Sequence, residues 1–137
     1  MQTMVPSLIS LLLCDQVIVD ARTAKKTLVG LFDSINLIEF PSQLGGFTLF
    51  ARLADMEGTY VFRLSVVDLS QDKTLATVVS SEANAPETAR YADLLLTVPP
   101  ILFERPATHE FQLFANDIYL GRSLIDVKQA TITGGQA

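Results

Sequence analysis

The chain has 137 residues, one domain's worth by the soft prior of roughly 100–200 residues per domain, with 49% apolar and 18% charged side chains and a net charge of −5. That balance can bury a core of useful size. It excludes intrinsic disorder, a collagen-like repeat and a disulfide scaffold, and an acidic chain lacks the basic footprint of a dedicated nucleic-acid binder.

In chain order, the opening apolar run Leu8–Leu13 imitates a signal peptide, but nothing basic precedes it and no small-x-small cleavage pattern follows. Asp15 interrupts it before Val17–Val19, short of the roughly twenty apolar residues a membrane span needs. The expectation is a buried strand over Leu8–Asp20, bulged near Asp15, in a cytoplasmic protein with no membrane span. Ala21–Lys26 reads as a turn. Thr27–Phe32 and Ile35–Phe40 read as short strands joined by Asp33-Ser34, and Pro41–Gly46 as a loop.

Phe47–Ala54 alternates with period two: Phe47, Leu49, Ala51 and Leu53 share one face, and Thr48, Phe50, Arg52 and Ala54 the other. Thr59–Leu69 repeats this, with Tyr60, Phe62, Leu64 and Val66 on one face. Such alternation predicts strands with one face in a core. Asp55–Gly58 reads as a hairpin loop and Ser70–Lys73 as a turn into a strand over Thr74–Ser81. These three strands are predicted to form an antiparallel meander. Asn84–Arg90 reads as a loop or at most one helical turn, and Tyr91–Val98 as a strand stopped by Pro99-Pro100.

Glu110–Ala115 and Ile118–Val127 flank Asn116-Asp117. Both turn residues tolerate positive φ, as a two-residue hairpin requires. Gly121 predicts a bulge or a close backbone approach. Thr131–Ala137 reads as a frayed tail. Turn signals every ~8–12 residues and no amphipathic helix predict an all-β fold. The expected architecture is a two-sheet antiparallel β-sandwich of immunoglobulin-like appearance with eight or nine strands. It is a single domain over 1–137, compact over about 5–128, with a flexible tail over 129–137.

Leu12-Leu13-Cys14-Asp15 and the run from Thr27 to Ile35 resemble a family of small bacterial β-rich proteins known only as a domain of unknown function. Pro99-Pro100, the run from Glu110 to Asn116, and Leu120-Gly121 fit the same pattern. The approach to the last hairpin departs from it: Pro106-Ala107-Thr108-His109 stands where the family carries Pro-Gly and then Tyr or His one residue on. The resemblance implies a bacterial β-sandwich. It implies no activity and no catalytic residues.

Few residues are available for chemistry. Cys14 is the one cysteine and His109 the one histidine. Cys14 lies in an apolar run and is expected to be a small core residue rather than a reactive thiol. His109 is expected on the surface or in a turn, and nothing in the sequence brings the two together as a dyad. One Cys and one His are too few to point to a structural zinc site, and Asp55–Glu57, Asp68–Asp72 and Asn116-Asp117 read as turns rather than calcium loops. Gly45-Gly46 and Gly134-Gly135 lack the pattern of a phosphate loop. No catalytic, cofactor-binding or metal residue is therefore assigned, no cofactor is implied, and the chain is not expected to be an enzyme.

Phe50 falls on the polar phase of its strand, and Tyr119 falls opposite Ile118 and Leu120. These two are the candidate interaction surface. If exposed, Phe50 marks a contact patch; if both faces of its sheet are covered, it is core. The mean hydropathy of +0.34 is high for a soluble domain and suggests a partner covering apolar surface. The leading expectation is a non-catalytic protein-interaction or structural module with a protein partner, of which homo-oligomerisation is the simplest version. The alternative is a ligand-binding sandwich for a sugar, a peptide strand or a metal ion.

Overall fold

The computed structural model describes residues 4–86 and 89–131. Among them run thirteen strand segments and no helix: β1 (Ser7–Val19), β2 (Lys26–Phe32), β3 (Ser34–Leu37), β4 (Ser42–Leu44), β5 (Thr48–Ala54), β6 (Thr59–Tyr60), β7 (Phe62–Asp68), β8 (Lys73–Val79), β9 (Ala83–Asn84), β10 (Tyr91–Thr97), β11 (Ile101–Phe103), β12 (Ala107–Ala115) and β13 (Ile118–Gln129). Eight or nine strands were expected. The segments of two to four residues are too short for alternation to reveal them.

One sheet has the order β10-β5-β1-β2 and a second the order β3-β13-β12-β7-β8; β4–β11 and β6–β9 form separate pairs. The alternating faces read from the sequence fall as expected. Phe47, Leu49, Ala51 and Leu53 join Tyr60, Phe62, Leu64 and Val66 in one buried cluster. Phe111, Leu113, Ile125 and Val127 belong to it as well, so the core draws on both larger sheets. The fold is all-β.

The pairing differs from expectation at several points. β5 does not pair with β7: it lies between β1 and β10, while β7 lies between β12 and β8. Asp55–Gly58 therefore carries the chain between sheets, and only the β7–β8 hairpin of the meander is present. Alternation fixes the face each residue takes, not the strand beside it. Likewise β3 leaves β2 and pairs parallel with β13, and β4 lies within the segment expected to be a loop. The β1–β2 register runs unbroken past Asp15. The irregularity in β1 instead falls against β5, between Leu8 and Ser10.

The last hairpin closes as expected, with Asn116 at φ 48° and Asp117 at φ 65°. A register shift leaves Leu120 extra beside Gly121, and a Cβ on Gly121 would sit 2.5 Å from Leu8 Cδ2. The glycine thus marks a bulge, and its missing Cβ leaves room for the Leu8 side chain rather than for another backbone. Gln129 still belongs to β13, and most of the expected tail, 132–137, lies outside the described residues. No helix among the described residues is long and apolar enough to cross a membrane.

The β1–β2 hairpin does not run straight. Asp93 on β10 is level with Arg52 and, across β5, with Ser10, whereas Lys26 is level with Val19. Nine residues along a straight strand would separate them by roughly 30 Å. Yet Lys26 Nζ lies 2.9 Å from Asp93 Oδ2. Asp93 is also paired with Arg52, on the face opposite the core. The hairpin must therefore fold back over that outer face. Gly30, at φ 72°, stands opposite Asp15 where the two strands leave the sheet, and a glycine there accommodates such a kink.

Candidate interaction surfaces

Phe50 is not on the surface. It is 6% exposed, although it points away from the main core. Its cross-strand neighbours are Leu12 and Leu95, and the Arg52 guanidinium lies 6.0 Å from its ring centroid. With so little exposed surface the core reading applies, and Phe50 is not a contact residue.

Tyr119 is 49% exposed, and its partners form an ordered row. Register pairs Tyr119 with Phe114, Phe114 with Arg63, and Arg63 with Val79. The row crosses four adjacent strands on the outer face of the five-stranded sheet. Tyr119 meets Phe114 edge-on at 5.6 Å, and the Arg63 guanidinium sits 3.9 Å over the Phe114 ring. Val79 ends the row 61% exposed. Asp117 lies at the turn on one side, 89% exposed and 3.5 Å from Arg63. Arg122 lies one step along on the other side, 51% exposed and 2.6 Å from Glu110. Hydrogen bonds from Gln112 and Arg122 hold the Glu110 carboxyl below its ordinary range. Arg63, Phe114 and Val79 were not singled out from the sequence, because their alignment depends on strand order.

A second feature is a cleft of 630 Å³ where the hairpin leaves the core. Phe47 and Ile35, both buried, form its floor with Leu44 and Phe32. Asp15, Ser34, Asn36 and the backbone of Gly45 and Gly46 supply polar groups. The Asp15 carboxylate lies against Gly30, where any Cβ would collide with it.

The residues weighed for catalysis do not assemble. Cys14 is buried in β1 beside Thr48 and Leu31. Burial and the neighbouring Asp15 charge push its thiol up, which keeps it protonated and inert at neutral pH. His109 is in β12, in the other sheet, and is fully buried. Its expected surface or turn position is wrong: it takes an inward position of a central strand, edge-on to Phe103 at 5.0 Å. Its Nδ1 is 3.0 Å from the Ala107 carbonyl and donates to it in the neutral ring. Nε2 has no partner among the described residues and faces Asp68 Oδ2 at 3.9 Å. Burial also opposes the Asp68 charge, but the Ser70 hydroxyl and amide outweigh it and hold that carboxyl low. No group of three or more His, Cys, Asp or Glu converges among the described residues.

This pair gives a pH prediction. Burial depresses the folded-state pKa of His109 below its ordinary 6.5, more than Ala107 and Asp68 raise it. The unfolded chain then binds more protons than the fold in that window, so stability rises with pH. Urea midpoints are expected to fall as pH drops from about 7.5 to 5.5, where an unfolded histidine gains its proton. His109→Leu should flatten that slope. Equal wild-type midpoints at both pH values would contradict this account. Below about pH 4 the low-titrating Asp68 adds a loss of the same sign.

No curated protein matches the chain. Among solved structures it is similar to the Pseudomonas fluorescens alkylpurine DNA glycosylase AlkC bound to DNA containing an abasic site analog. The TM-score is 0.46 and the identity 16%, over 70% of this chain and 28% of that one. The chain thus spans less than a third of that enzyme, and so slight a likeness carries no function across. The model of a family of unknown function, DUF6941, matches residues 9–128. That span runs from the first strand to the end of the last hairpin, so the chain belongs to DUF6941.

Proposed function

We propose that the chain is a non-catalytic protein-interaction module of a bacterial assembly, and that it self-associates through the outer face of the five-stranded sheet. The architecture is read as a two-sheet β-sandwich of immunoglobulin-like appearance, which the core shared by the larger sheets supports. The observation that carries the functional reading is the Val79–Arg63–Phe114–Tyr119 row with an acid on one side and a base on the other. A symmetric dimer requires a self-complementary patch. A two-fold axis lying along the row stacks each copy's aromatic pair on the other's. The same axis brings Asp117 over Arg122 of the second copy. Tyr and Arg are the residue types that dominate such contacts.

Sedimentation velocity over a concentration series tests this. Tyr119→Ser is expected to weaken the dimer at least ~10-fold. Asp117→Asn keeps a residue that tolerates the turn, and should weaken it a few-fold while reducing its salt dependence. A wild-type chain that stays monomeric, or a dimer untouched by Tyr119→Ser, overturns the reading.

A further inference from the structure

We infer that the cleft beside Asp15 is a docking groove for an extended segment of another protein that carries a lysine or arginine. This site is separate from the self-association face and does not depend on it.

Two edge strands border the groove. Among the described residues β2 is hydrogen-bonded only to β1, and β3 only to β13. On β3 the free groups can be assigned. The carbonyls of Asp33 and Leu37 accept from Asp126 and Ala130 of the β13 side. Backbone groups alternate sides along a strand, so those of Ser34 and Asn36 point away from β13. Both residues line the cleft. An added strand would find unpaired donors and acceptors there, the arrangement used in strand-addition recognition.

The floor and the charge define the partner. Phe47, Ile35, Leu44 and Phe32 give an apolar base, suited to the alternate apolar side chains of an extended segment. Among the described residues that line it, Asp15 is the one charged group. It forms no ion pair with any described residue. Gly30 opens the space its carboxylate occupies, since any Cβ there would displace it. A carboxylate beside an apolar floor favours a cationic side chain whose methylene stem can lie on that floor. The cleft volume falls in the usual range of ~300–1,000 Å³ for binding sites, and the net charge of −5 favours a basic partner at long range.

The test uses a phage-displayed library of random dodecapeptides, selected on the full chain and counter-selected on Asp15→Asn. The expected result is enrichment of peptides with Lys or Arg flanked by apolar or β-branched residues. A synthetic winner should bind Asp15→Asn at least ~10-fold more weakly, and should shift the Ser34 and Asn36 amide resonances. Equal thermal melts of the two proteins show that Asp15→Asn folds. No enrichment, enrichment without a basic residue, or equal binding to Asp15→Asn overturns the proposal. A winner whose amide shifts fall on Tyr119 and Phe114 overturns it too, and places binding on the outer face instead.

Discussion

Phe111→Ala is expected to cost about 3–5 kcal/mol of stability, the range for truncating a fully buried aromatic. Phe111 has no exposed surface and lies in β12, paired with Val66 on one side and Ser123 on the other. Its ring centroid is 6.2 Å from that of Phe47, which precedes β5 of the opposing sheet. The substitution therefore opens a void where the two larger sheets meet, and flanking strands cannot collapse into it without breaking their ladders. Against a total of about 5–15 kcal/mol for a domain, this removes a large share. Urea denaturation followed by circular dichroism is the check, with Leu31→Ala as a control expected within about 0.5 kcal/mol because Leu31 is exposed. A loss below about 1 kcal/mol for Phe111→Ala would mean the sheets do not share a packed core.

Gly45→Ala is the second large effect, expected to cost about 1–3 kcal/mol as an overpacking change. A Cβ at this position would lie 2.5 Å from both the Pro100 nitrogen and its Cα. Those atoms are backbone, fixed by the neighbouring pairing of Leu44 with Ile101 in β4–β11. Relief requires moving one strand of that pair. Gly121→Ala is the informative contrast: its new methyl meets the end of the Leu8 side chain, which can rotate away, so a smaller loss is expected. Thermal melts of both variants decide the matter, and equal shifts would show that the Gly45–Pro100 approach is not a constraint. Gly45 also borders the cleft, so its substitution should weaken peptide binding through shape while leaving the Asp15 charge in place.

Much of the local structure could be read from residue order, and the reasons are physical. Period-two alternation in Thr59–Leu69 put Tyr60, Phe62, Leu64 and Val66 inside, because a pleated strand turns successive side chains to opposite faces. Asn116-Asp117 marked the last hairpin because few residues tolerate its positive φ angles. What remained hidden was pairing at a distance. A four-residue link such as Asp55–Gly58 serves a hairpin or a crossing equally well, so β5 could not be assigned to the β1 sheet. His109 was misplaced because the strand was expected to begin at Glu110, whereas β12 begins at Ala107. Phe50, on the polar phase of its strand, and Tyr119, opposite Ile118 and Leu120, stood as equal candidates. Their exposures, 6% and 49%, separate them only once the strands are assembled. The aromatic row and the cleft were both illegible, since each joins residues from strands far apart in the chain.

Native mass spectrometry of the unmodified full chain tests the central claim most directly. Self-association through the outer face predicts a discrete species at twice the 15.0 kDa of one chain, growing with concentration and lost on Tyr119→Ser. A single 15.0 kDa species at every concentration would contradict it.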